Sequence, residues 1–217
     1  MSRHPAPEEL LLDYAAGALP EGPALALALQ AALDPDVRRT VDGLRAVGGT
    51  LLEDSAPGLF DHGVLERTLA RLDSLPVESA PAPPVRPAGF EWAPAPLAGY
   101  LRPGMRWKRV FGGFEQIDVP LSGDTHRVSL LRLEPGQGLP VHRHGANEYT
   151  VVLQGGYTDN TGNYVAGDFA VGPGAQEHQP IADPGDPCIA LIVLEKPIVL
   201  TGPWGRFLNP LLRWGWM

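Results

Sequence analysis

The chain has 217 residues, a net charge of −8 and a mean hydropathy of −0.07, enough for one large domain or two small ones. Residues 1–75 hold 12 acidic and 6 basic side chains, and residues 76–217 hold 13 and 11. That balance repels phosphates and disfavours direct nucleic-acid binding. It suits a basic protein partner, or equally a solvated surface kept for solubility.

No apolar run reaches the roughly 18–20 residues of a membrane span, and no basic region followed by an apolar stretch opens the chain. One cysteine, Cys188, excludes an internal disulfide framework, and its apolar surroundings favour packing over redox chemistry. Together these features point to the cytoplasm.

Residues 1–75 read as a small helical bundle. Glu8 to Leu19 forms a first helix, stopped before Pro20. Pro23 to Leu33, PALALALQAAL, has proline at a natural first-turn position. Asp34-Pro35-Asp36 breaks the chain and caps a third helix running to Glu53, in which Val37, Val41, Leu44, Val47 and Leu51 recur at helical period. Beyond a hinge over 54–60, Asp61 is expected to cap a fourth helix with Val64, Leu65, Thr68, Leu69 and Leu72 on one face. That face either closes a four-helix bundle or clasps a partner.

Residues 76–98 contain seven prolines and little periodicity, the composition of a semi-rigid extended linker. From residue 99 onward the pattern turns to short strands, expected over 106–110, 114–120, 125–133, 148–153, 157–164, 168–171 and 188–194. Turn signals such as Ser122-Gly123-Asp124, Pro135-Gly136 and Pro184-Gly185 separate them, which favours an antiparallel β-barrel or jelly roll. The tail carries Trp204, Phe207, Trp214 and Trp216, expected to pack over the barrel or against a second copy or partner.

The chemistry concentrates in GLPVHRHGANEYTVVLQG, residues 138–155. Alternate side chains of a strand share a face, so His142 and His144 project together, and Glu148 joins them if the strand stays regular through the Gly145-Ala146-Asn147 bend. Two imidazoles and a carboxylate suit a borderline divalent ion, and His178 is a fourth candidate. The bland reading is scattered surface histidines. His126 and Glu177 are candidates for acid–base or supporting roles, though surface roles suit them better.

Gly138, His142, His144, Glu148 and Gly155, followed by Gly167, Pro173, Gly174 and His178, resemble the two cupin motifs, with one extra residue between Gly174 and His178. The resemblance implies one metal held by His142, His144, Glu148 and His178 inside the barrel. Zinc is the first choice, and iron, manganese and nickel are compatible. It also implies a cavity able to take a small molecule, and a barrel of a kind that often forms homodimers.

The opening His4-Pro5-x-x-Glu8-x-Leu10-Leu11-Leu12-Asp13-Tyr14-Ala15-Ala16-Gly17-Ala18-Leu19-Pro20, with Arg38-Arg39 and Gly48-Gly49-x-Leu51-Leu52, resembles ChrR-type anti-sigma factors. That family joins a helical anti-sigma domain to a cupin-like domain, here 1–75 and 99–217 around the 76–98 linker. It implies a sigma factor of the extracytoplasmic-function class as partner, and a barrel that governs release under a stress such as singlet oxygen or organic peroxide. The family's helical domain holds zinc through an early His and an H-x(3)-C-x(2)-C motif. This chain keeps His4 but has Gln30, Asp34 and Val37 at the later positions, so no zinc is expected in residues 1–75 and His4 is expected to be a surface remnant. Two further readings stay open: a metal-dependent cupin enzyme of dioxygenase or isomerase type with a helical appendage, and a relative in which only the cupin works.

Overall fold

The computed structural model describes residues 2–58, 60–76, 86–110, 113–172 and 174–202. The aromatic residues expected to cover the barrel, and Pro173 of the second motif, lie outside them. Helices α1 (Glu8–Ala15), α2 (Glu21–Leu33), α3 (Pro35–Glu53) and α4 (Val64–Asp73) are followed by the short α5 (Ala95–Ala98). The strands are β1 (Lys108–Arg109), β2 (Glu115–Val119), β3 (Arg127–Leu133), β4 (His142–Arg143), β5 (Glu148–Gln154), β6 (Gly156–Thr158), β7 (Asn163–Val165), β8 (Phe169–Val171), β9 (Ile181–Ala182), β10 (Cys188–Leu194) and β11 (Val199–Leu200). No helix among the described residues is long and apolar enough to cross a membrane.

Helix limits follow local chemistry. The Asp34 side chain accepts from the N–H groups of Asp36 and Val37, so the break after α2 also starts α3. The expected Asp61 cap is a correction: the residue before α4 is Gly63, at φ 75°, with no side-chain cap, and Asp61 contributes its carbonyl to Val64 N–H. Glycine takes that left-handed conformation without a Cβ clash.

All the sheet pairings among the described residues are antiparallel. A six-stranded sheet runs β1-β2-β3-β10-β5-β8, faced by β7-β6-β9 and the pair β11-β4. The strand expected over 157–164 is instead the hairpin β6–β7. Asp159 Oδ1 accepts from the N–H groups of Thr161 and Gly162 and from the Thr161 hydroxyl, and this Asx-type turn reverses the chain.

Helix α2 is apolar nearly all round, and such a helix must be buried on every side. It packs against α1, α3 and α5, and on its other side against the outer face of β5 and β10. A Cβ on Gly22 would stand 3.1 Å from both Val193 Cγ1 and His126 Cβ, so glycine permits the close approach. Leu25, Leu27 and Leu29 of α2 thus share one core with Val151, Leu153, Leu191 and Val193 of the sheet. The 76–98 segment, expected to be extended, folds into this core over its second half: Phe90, Ala93 and Leu97 are buried there.

A strap at the N-terminus reinforces the junction. Buried Asp168 accepts from the N–H groups of Arg3, His4 and Val165, and His4 O accepts from Phe169 N–H at 2.8 Å. Gln30, fully buried, accepts from Ala6 N–H through Oε1 and donates through Nε2 to His4 O and Gly167 O. His4 is therefore no loose surface remnant: it is half-buried, its ring 4.6 Å from that of Tyr164.

Leu29 is wholly buried at the shared core. Leu29→Ala is expected to cost about 2–5 kcal/mol. Because helices and sheet share that core, thermal unfolding followed by helix ellipticity and by the β-sheet amide I infrared band should shift together in one transition. Two separate transitions, with only the helical one displaced, would contradict the shared core.

Candidate metal centre

The site is assembled by backbone pairing before any side chain is considered. His142 and His178 exchange both main-chain hydrogen bonds, at 3.1 and 2.9 Å, as an isolated antiparallel bridge. His144 N–H donates to Gly174 O, and Gly172 N–H to Glu148 O. Gly172 is required there, because a Cβ would lie 2.9 Å from the Glu148 Cβ. The strand does not continue through the Gly145-Ala146-Asn147 bend: His142 lies on β4, His144 follows it, and Glu148 opens β5.

Three of the four expected residues converge. His142, His144 and His178 are buried, and their ring nitrogens lie within 4.8 Å of one another. His178 Nε2 is 2.7 Å from His144 Nε2 and 3.0 Å from His142 Nε2. Glu148 is buried beside this cluster, not in it. Its Oε2 lies 2.7 Å from His144 Nδ1, out of line for a hydrogen bond, so that buried nitrogen has none. Its Oε1 accepts from the Thr150 hydroxyl at 3.0 Å.

The tautomers are fixed from outside the cluster. His178 Nδ1 lies 2.8 Å from the Asp159 carboxylate, and His142 Nδ1 lies 2.7 Å from Pro140 O. Carboxylate and carbonyl oxygens only accept, so both Nδ1 atoms carry the proton and both Nε2 atoms present bare lone pairs. A proton on His144 Nε2 satisfies one contact but turns its Nδ1 lone pair toward Glu148 Oε2 at 2.7 Å, and the His142 and His178 lone pairs still face each other at 3.0 Å. Only a cation between them relieves that arrangement.

His142 is a poor host for a proton at that contact. Burial, together with the neighbouring His178 and His144, outweighs Pro140 O and Glu148 and lowers His142 to about 4. Burial would raise the Glu148 carboxyl, yet the adjacent His144 and His142 rings and the Thr150 hydroxyl hold it below its ordinary value. Burial likewise opposes ionisation of Asp159, but the His178 ring and the Thr161 donors bring it down to about 2. Three imidazoles with a carboxylate alongside are the donor set of a borderline divalent metal.

The cluster opens on a cavity of about 330 Å³ inside the barrel, lined by His142, Glu148, Thr150 and His178 and by apolar side chains of β3 and β10. Cys188 lines it too, its thiol pushed up to about 12 by burial and by Asp183, consistent with packing. His126 and Glu177 do not line it. His126 bonds Asp124 at 2.7 Å at the foot of α2, and Glu177 is exposed. Asp159 and Thr150 were not singled out in the sequence. A D-N-T-G-N turn shortly before a ligand histidine was the available signal for Asp159.

Residues 103–197 match the family model of the ChrR cupin-like domain. The chain is 35% identical over 214 residues to the anti-sigma-E factor ChrR of Cereibacter sphaeroides, covering 97% of this chain and 98% of the relative. It also superposes, with a TM-score of 0.74 and 35% identity, on a chain in the crystal structure of Rhodobacter sphaeroides SigE in complex with the anti-sigma ChrR, covering 88% of this chain and 98% of that one.

The buried neutral His142 sets a pH dependence for the metal-free protein. Below pH 6.5 the unfolded chain binds a proton that folded His142 refuses until about pH 4. Stability should therefore fall as pH drops through this window, by on the order of 3 kcal/mol. Denaturant unfolding of the metal-stripped protein at pH 7 and pH 4.5 checks this, and His142→Gln should flatten the slope. An equal slope in wild type and variant would contradict the assignment.

Proposed function

Because the chain belongs to the ChrR family of anti-sigma factors, we propose that its helical half sequesters an extracytoplasmic-function sigma factor in the cytoplasm. Labour divides at the boundaries expected from composition: residues 1–75 bind, 76–98 connect, and 99–217 hold a metal and sense. The observation that carries sigma binding is an apolar surface that no described part of the chain covers. The α3 stripe is buried at Val37 and Val41 but runs into solvent at Val47, Leu51 and Leu52. Helix α4 has no buried residue, and Leu65, Leu69 and Leu72 are exposed along one face, with Phe60 exposed before it.

An amphipathic helix with its apolar face in water is built to be covered by a partner. Occlusion follows directly: a sigma factor held on this face cannot present the same surface to RNA polymerase. The net charge of −6 over residues 1–75 complements a basic partner.

For the barrel, the opposed lone pairs of His142 and His178 support a divalent ion held by His142, His144 and His178, with Glu148 as the adjoining carboxylate. Zinc is the first choice, while iron, manganese or nickel suit the same donors. A bound ion would supply a fixed positive charge and an open position for a ligand. Asp159 holds His178 in the required tautomer, and Pro140 O does so for His142.

No zinc is assigned to residues 1–75. Gln30 spends its amide on three backbone partners, Asp34 caps α3, and Val37 is core. A regulatory role is favoured over catalysis because the relative matched along nearly its whole length is an anti-sigma factor.

Tagged full-length protein recovered from its native cells should bring down a sigma factor, identified by mass spectrometry. Leu65→Asp with Leu69→Asp, at exposed positions and therefore folded, should lose it. Failure of folded wild type, or undiminished capture by the double variant, would defeat the reading. Metal analysis tests the barrel independently. His142→Ala with His144→Ala should abolish stoichiometric metal, and Asp159→Asn should weaken affinity by about 10–100-fold. Full metal content in the double alanine variant would overturn the ligand assignment.

A further inference from the structure

The cavity beside the imidazoles has a chemical polarity of its own. The register of β3, β10 and β5 sets Arg127, Leu194 and Glu148 on one rung, and Ser129, Ile192 and Thr150 on the next. All six line the cavity. The Arg127 backbone therefore stands two strand spacings, about 10 Å, from that of Glu148, on the same inner face. Its guanidinium is paired with exposed Asp118 through one contact of 3.4 Å, and such a surface pair contributes little. The guanidinium is thus available to an anion inside.

Two positive groups and one carboxylate then look into one apolar chamber: the metal assigned to the imidazoles with Glu148 beside it, and the Arg127 guanidinium, which together leave an excess of positive charge. Leu131, Leu139, Ile192, Leu194, Ile198 and Leu200 make the walls between and around them. At the rim Lys196 and Glu195 are both exposed and opposite in sign, so they add no net preference. Apolar walls with a few convergent polar groups are the usual form of a small-molecule site, and about 330 Å³ sits at the small end of their range.

We propose that this cavity binds an amphiphilic monocarboxylate, its head between the imidazole-held metal and the Arg127 guanidinium and its hydrocarbon along Leu131, Ile192, Leu194 and Leu200. The planar fork of arginine matches a carboxylate, and a carboxylate oxygen suits the open position on a divalent ion. A neutral amphiphile leaves the excess positive charge unanswered, and an ammonium is repelled by it. The inference rests on the metal reading of the barrel, and the test separates the two.

Octanoate is the probe, titrated calorimetrically into full-length protein whose metal content is measured before and after. Octanol and octylammonium serve as chain-length controls. Metal-loaded wild type should bind one octanoate, with octanol at least about ten-fold weaker and octylammonium silent. Arg127→Met, verified as folded and metal-replete, should lose about ten-fold or more of octanoate affinity, and Arg127→Lys should retain an intermediate part. Metal-loaded wild type that ignores octanoate, or that binds it no better than octanol, overturns the proposal and leaves the metal site standing. So does unchanged affinity in both Arg127 variants. A chain that takes up no metal defeats the metal reading and the proposal with it.

Discussion

The outer face of β5 and β10 is the surface on which the rest of the molecule depends. Without it α2, apolar on every side, would have nowhere to put Leu25 and Leu29, because α1 and α3 cover only part of its circumference. With it, three short helices that would make a marginal bundle alone borrow a core from the barrel. The strap at Ser2–Ala6, bound to Asp34, Gln30 and Asp168, seals the same junction with hydrogen bonds to groups that would otherwise be buried unpaired. With α1–α3 anchored in this way, the second half of α3 and all of α4 stand uncovered among the described residues.

Strands have two faces, and β5 and β10 use both. Tyr149, Val151 and Leu153 look toward the helices, while Glu148 and Thr150 look into the cavity. On β10, Leu191 and Val193 face the helices, and Ala190, Ile192 and Leu194 face inward. A rearrangement on the inner face therefore meets the packing of α2 through one thickness of sheet. Interiors packed at native density pass such displacements on instead of absorbing them. This is a physical connection between the imidazole-lined cavity and the helices packed on the opposite face of the sheet.

Much of this was legible in the chain. Proline and aspartate punctuation set α2 and α3 within a residue or two, and the even spacing of His142 and His144 pointed to the imidazole cluster that His178 completes. What escaped was set by tertiary contact. The two-residue strands β4, β9 and β11 exist only because distant segments pair with them, as His142 does with His178. The 157–164 hairpin was hidden because Tyr157 and Tyr164 read as strand residues, while the turn between them depends on one side chain, Asp159. Proline-rich composition suggested an extended 76–98, but Phe90 and Leu97 are drawn into the core by burial. Glu148 was expected among the imidazoles by regular alternation. The bend after His144 instead puts it against the Nδ1 side of that ring.

The central claim is that the uncovered apolar face removes a sigma factor from transcription. The most direct measurement is run-off transcription by RNA polymerase core and an extracytoplasmic-function sigma factor captured by this protein, with purified full-length chain added in increasing amounts. The account predicts that transcript falls to background near one chain per sigma factor and returns when excess sigma is supplied. Transcription that continues unchanged at saturating protein, with the sigma factor demonstrably bound, would contradict it.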